Sequence, residues 1–75
     1  MVKVLLFGVL ASEAGLKELE IENVKNTEEL LSELAQRFPV LDFQFQVFVN
    51  RQQVANNQTL KDNDEVALIP PFPGG

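Results

Sequence analysis

Residues 26–39 read NTEELLSELAQRFP, and this stretch decides the fold because it holds the one long amphipathic helix that the sequence offers. Thr27 can serve as its N-cap, with Glu28 and Glu29 beside the positive end of the helix dipole. Leu30, Leu31, Leu34, Ala35 and Phe38 then recur at helical spacing and form a single apolar stripe. Pro39 ends the helix, because it lacks an N–H and disfavours helical geometry at Phe38, so about twelve residues are helical.

Strands flank it on both sides. VKVLLF, residues 2–7, is a short run of branched apolar residues closed by Gly8. Residues 9–15 are small and end in glycine, which predicts a loop or a single helical turn. KELEIE, residues 17–22, alternates charge with Leu19 and Ile21, the period of a half-buried strand and the second arm of a hairpin. Beyond the helix, FQFQVFV at 43–49 alternates again, Asn50-Arg51 makes a turn, and Gln53-Val54 suits a short edge strand. Residues 55–58 read as loop and Leu60 as a lone core anchor. Asp62-Asn63-Asp64 is a turn whose side chains bond their own backbone, and EVALI at 65–69 is the last strand. One helix covering one face of a mixed sheet is the two-layer α+β solution, and this order is that of the ubiquitin-like β-grasp. The domain spans 1–69, with an extended Pro/Gly tail over 70–75.

Composition narrows the function. The 75 residues make room for one small domain. They include no Cys, which excludes a disulfide, a thiolate nucleophile and a thiolate metal site. They include no His, which excludes a Ser-His triad and an imidazole ligand. A formal charge of −5 disfavours nucleic acid and anionic membrane surfaces as partners. The opening MVKVLLFGVLASEAG has no basic n-region with an h-region and cleavage site, so a cytoplasmic protein is expected. Asp62, Asp64 and Glu65 lack the ligand pattern of a calcium loop and read as a solvated turn, so no metal is expected. Glu18, Glu20 and Glu22 read as a polar strand face that could steer a basic partner.

Strand alternation sorts the remaining side chains onto two faces. Val2, Val4, Leu6, Phe45, Val47, Val49, Val66 and Leu68 are expected to meet the helix. Leu5, Phe7, Phe48, Ala67 and Ile69 then point away from it, as an apolar patch suited to a partner.

The chain ends Ile69-Pro70-Pro71-Phe72-Pro73-Gly74-Gly75. Proline stops the sheet ladder near Ile69 and favours an extended, stiff stem that reaches roughly 18 Å over six residues. Gly74 and Gly75 put bare backbone at the tip, so the terminal carboxylate can enter a narrow channel and face a nucleotide phosphate. Phe72 offers an apolar anchor partway along. Such an ending suits adenylation by another enzyme followed by attack of a sulfur or amine nucleophile.

VKVLLFG, NTEELLSELAQRFP, VFVN and LKDNDEVALIPPFPGG together resemble the small subunits of molybdopterin synthase, a family of β-grasp sulfur carriers related to ubiquitin. The resemblance covers nearly the whole chain and is most specific in its Pro-Pro and Gly-Gly ending. It implies that Gly75 is adenylated by an E1-like enzyme that uses ATP, then converted to a thiocarboxylate by a sulfur donor. Gly74 would thread the channel of a large subunit, in a heterotetramer, where sulfur passes to cyclic pyranopterin monophosphate. The carrier would bind no cofactor and would not be catalytic alone. Phe7, Ile69 and Phe72 match apolar positions that resemble the family's subunit-contact surface, and with Phe48, Pro70, Pro71 and Pro73 they make up the expected partner surface. Many relatives carry an Arg in the loop after the first strand, where this chain has Val9-Leu10-Ala11-Ser12, which puts any ionic contact of that loop in doubt. Sibling carriers for thiamin synthesis or tRNA thiolation share the Gly-Gly ending. A ubiquitin-like modifier would share the activation but form an isopeptide, and a plain binding module would not need Gly75.

Overall fold

The computed structural model describes residues 1–38 and 44–71. Its elements run β1 (Val2–Leu6), α1 (Val9–Ala14), β2 (Glu18–Ile21), α2 (Thr27–Arg37), β3 (Gln46–Val49), β4 (Gln52–Val54) and β5 (Glu65–Ile69). The strands form one sheet in the order β2-β1-β5-β3-β4. β1 and β5 lie parallel at its centre, while the β1–β2, β3–β4 and β3–β5 pairs are antiparallel. A parallel pair demands a long crossover. Here everything between β1 and β5 supplies it, and the result is the mixed sheet of the ubiquitin-like β-grasp.

Alternation placed the core correctly. Val2, Val4, Leu6, Val49, Val66 and Leu68 are buried with Leu30 and Leu34 of α2, and Phe45, Val47, Leu31 and Phe38 pack against this cluster half-buried. Leu60, from the loop before β5, is buried among them as expected. Ala35, assigned to the stripe, is exposed instead.

Three local expectations need correction. Residues 9–14 form a second helix rather than a loop or single turn. α1 is short, but Leu10 is fully buried in the core cluster, and Gly15 closes the helix at φ 79° with its N–H donating to the Ala11 carbonyl. The N-cap of α2 is Asn26, not Thr27: its side chain accepts from the Glu29 N–H at 2.9 Å while its backbone stays extended. Finally, β3 starts at Gln46; Gln44 and Phe45 precede the strand, and Phe43 lies outside the described residues.

Thr27 is freed for another task. As the first residue of α2 it is buried, donating its hydroxyl to Asn57 Oδ1 at 3.1 Å and accepting from the Gln58 N–H at 2.9 Å. Asn57 Oδ1 also accepts from the Glu28 N–H at 3.0 Å, and the Thr27 N–H reaches the Gln58 carbonyl at 2.9 Å. The first-turn N–H groups, which an isolated helix leaves orphaned, are therefore satisfied by Asn26 and by the loop before β5.

Candidate docking face and tail exit

Two strand registers assemble the outer face of the sheet. Leu5 pairs with Ala67, and Ala67 pairs with Phe48 on its other side. The same row continues to Glu18 on β2 and Gln53 on β4. Its middle is thus apolar for three strands and polar at both edges. Leu5, Ala67 and Phe48 are half-buried by one another, as is Ile69, which pairs with Gln46 in the next row towards the tail. Phe7, just beyond β1, is the most exposed of the group at 44%. Both helices pack on the opposite face, through Leu10, Leu30 and Leu34, and the residues expected on the outer patch come together on the uncovered one.

The row on the far side of Leu5 is charged. Lys3 pairs with Glu20 and Glu65, and its ammonium sits 3.3 Å from Glu18 across β2. Both ends of that ion pair are about half exposed, so it orients more than it stabilises. The apolar patch therefore has a charged margin at the start of β1 and opens towards the tail at its end. A cleft of about 460 Å³ adjoins it, with Leu5, Phe7, Ala11, Lys17 and Glu18 in its lining.

The tail leaves from the end of the central strand β5. Pro70 and Pro71 follow Ile69 directly, both half-buried and outside the ladder, as a missing N–H requires. Gly74 and Gly75, which are expected to carry the terminal chemistry, lie outside the described residues, as do the expected partner contacts Phe72 and Pro73. Of the proposed partner contacts, Phe7, Phe48, Ile69, Pro70 and Pro71 occupy the outer face or the tail exit.

Sequence reading gave Asn50 only a turn role, yet it clamps the start of β5. Its Nδ2 donates to Asp64 Oδ1 and its Oδ1 accepts from the Glu65 N–H, each at 3.0 Å. The Asp64 carboxyl is held below its usual range, first by this bond from Asn50 and then by the Lys61 N–H on its other oxygen. Asp62 instead meets the amino group of Met1. The Asp64 carboxylate is thus engaged in closing the turn and Asp62 in holding Met1, and no three acidic side chains converge as metal ligands among the described residues. No described helix is long and apolar enough to cross a membrane.

Comparison with known proteins extends this picture. Residues 4–75 match the ThiS family. A relative in Chlamydomonas reinhardtii, the molybdopterin synthase sulfur carrier subunit, is 38% identical over 81 residues, covering 99% of this chain and 98% of its own. Among solved structures, the small archaeal modifier protein 1 of Methanosarcina acetivorans superposes with a TM-score of 0.84 at 25% identity, over 99% of this chain and 95% of that one. The complex of subunits 1 and 2 of molybdopterin-converting factor from Helicobacter pylori contains a chain that superposes with a TM-score of 0.76 at 26% identity, over 99% of this chain and 97% of that one.

Proposed function

The chain belongs to the ThiS family, and we propose that it is a sulfur carrier, the small subunit of a molybdopterin synthase. The observation that carries this reading is the reach of the family match, which runs through the Gly-Gly end to residue 75. The 38% identical relative bears that subunit's name along its full length. In this reading the Gly75 carboxylate attacks the α-phosphate of ATP in an E1-like enzyme, releasing pyrophosphate. A sulfide-level donor then displaces AMP from the acyl adenylate and leaves a thiocarboxylate. The large subunit receives the tail and catalyses transfer of that sulfur to cyclic pyranopterin monophosphate. In this reading the residues that catalyse sulfur transfer lie in the large subunit, and the carrier supplies the reacting terminus.

The outer face supports this division of labour. A single-layer patch of Leu5, Ala67 and Phe48, continuous with Phe7 and Ile69 at the tail exit, can hold a large subunit beside the point where the chain leaves the sheet. In the Helicobacter pylori structure the matching chain is present together with subunit 2, which favours a heteromeric partner here. A second reading, a modifier joined to lysines, is favoured by the likeness to the archaeal modifier. It shares the adenylate and differs in the attacking group, an amine instead of sulfur.

Intact mass after incubation with the host's activating enzyme, ATP and a sulfur donor tests the proposal. Replacement of one C-terminal oxygen by sulfur, discharged by the large subunit and cyclic pyranopterin monophosphate, is the expected result. A charged carrier that does not discharge points to a sibling sulfur pathway. Lysine adducts in place of a thiocarboxylate favour the modifier. No mass change, together with an unaffected Gly75-deleted chain, would overturn carriage altogether.

A further inference from the structure

Gly8 and Gly15 bracket α1, and both have positive φ, at 57° and 79°. Their surroundings differ. A Cβ built on Gly15 would meet nothing within 4 Å, so its left-handed backbone alone explains the residue. A Cβ on Gly8 would lie 3.1 Å from Cγ and 3.7 Å from Cδ of Pro70. Gly8 therefore answers two demands: a backbone at φ 57°, ψ −132° that side chains avoid, and the close approach of a proline ring.

The seat beneath that ring is fixed from both sides. The Gly8 carbonyl accepts from the Ala11 and Ser12 N–H groups at 3.1 and 3.2 Å, so it cannot turn without opening the first turn of α1. The preceding Phe7 N–H donates to the Leu68 carbonyl at 3.2 Å and ties the turn to β5, two residues before Pro70. Pro70 is the first residue outside the sheet, and its φ is fixed by its own ring. That ring lies beside Gly8 at the point where the chain leaves the sheet.

We propose that Gly8 is a positioning residue for the C-terminal stem: its missing side chain lets the Pro70 ring seat on the β1–α1 turn and so aims the chain that follows. The consequence for sulfur transfer rests on the carrier function proposed above. Were residues 70–75 extended at the ~3.1 Å per residue that their prolines favour, a tilt of about 10° at Pro70 would displace a tip five residues on by roughly 3 Å. Reactions that need a near-attack geometry lose rate steeply over such distances.

Gly15 supplies the control. Gly8→Ala and Gly15→Ala each force a side chain into positive φ, and only the first crowds Pro70. Urea midpoints and the kinetics of sulfur transfer with the large subunit are to be measured for both, and again with Pro70→Ala added to Gly8→Ala. Gly8→Ala is expected to lower kcat about tenfold or more with little change in KM for the carrier, whereas Gly15→Ala changes neither beyond about twofold. The double variant should be no slower than Pro70→Ala alone, because the clash needs both groups. Equal losses in the two glycine variants would overturn the proposal, as would multiplicative losses in the double variant. If Gly8→Ala does not fold, nuclear Overhauser contacts between the Gly8 α-protons and the Pro70 ring in the unaltered chain decide, and their absence overturns it. If the unaltered chain transfers no sulfur, the carrier function fails, and the same contacts judge the seat independently.

Discussion

The Asn50 amide and the Asp64 carboxylate meet at 3.0 Å and join the ends of two adjacent strands. Asn50 caps β3 in a left-handed turn at φ 50°, where Asn is one of the few residues accommodated at low cost. Its backbone N–H donates to the Glu65 carbonyl at 2.7 Å and its side-chain oxygen accepts the Glu65 N–H. Asp64 completes the exchange with its carbonyl, which accepts from the Lys3 N–H at 2.9 Å and so starts the parallel pairing with β1. One side-chain pair thereby sets the register of the strand from which the tail emerges.

This pairing gives stability a defined pH dependence. The folded pKa of Asp64 lies below its ordinary 3.8. The unfolded state therefore binds the proton more readily, and the Asp64 contribution is present above pH 3.8 and lost as pH falls through the lower folded value. Asp64→Asn should cost about 1 kcal/mol near neutrality, through loss of the charge-assisted bonds, and should show a shallower decline in acid. Urea unfolding from about pH 7 to about pH 3 measures both. A variant that falls as steeply as the parent would remove Asp64 as the cause.

The helix start depends on a residue thirty positions away. Asn57 Oδ1 accepts from both the Thr27 hydroxyl and the Glu28 N–H. Asn57→Ala leaves a buried hydroxyl and a first-turn N–H short of partners, and should cost about 1–2 kcal/mol. Asn56→Ala, in the same exposed loop, serves as the comparison and should change stability by less than about 0.5 kcal/mol. Thermal denaturation of the two variants side by side makes the check, and equal losses would refute the trans-capping role.

Which parts were legible follows from what each signal measures. Alternation is a property of neighbours in sequence, so Val2/Val4/Leu6 against Leu5/Phe7, and Val66/Leu68 against Ala67/Ile69, sort correctly without knowledge of the partner strand. α1 escaped because six residues with one buried Leu give no helical period; Gly8 and Gly15 at its ends were the available signal, and they also punctuate loops. Thr27 and Asn26 are both good N-caps, and only the loop at 57–58, remote in sequence, decides between them. The apolar outer face was readable as a set of residues, while the approach of Pro70 to Gly8 was not, since it joins opposite ends of the chain.

The core leaves little margin. A chain of 75 residues has a net stability of about 4–11 kcal/mol. Leu34 is fully buried at the centre of the α2 stripe. Leu34→Ala removes that packing and leaves a cavity, for about 2–5 kcal/mol. Leu31→Ala, half-buried on the same helix, should cost clearly less. Urea midpoints rank the two, and a reversed order would mean the α2 stripe is oriented differently from the one described.

The outer face makes the sharpest prediction for the proposed carrier. Ala67 sits between Leu5 and Phe48 at the middle of the row, while Gln53 ends the same row on the edge strand β4. An arginine at either position keeps an aliphatic stem against the sheet and its charge in water, so neither should unfold the chain. At the centre of a docked interface the charge would be trapped without a partner, whereas at the rim it stays solvated. Ala67→Arg should therefore weaken binding to the large subunit by about a hundredfold or more, and Gln53→Arg by less than about threefold. Calorimetric titration of each folded variant reads the difference. If Gln53→Arg weakens binding as much as Ala67→Arg, the contact is centred on the β4 edge rather than on the face; if neither weakens it, the apolar row is not the docking surface.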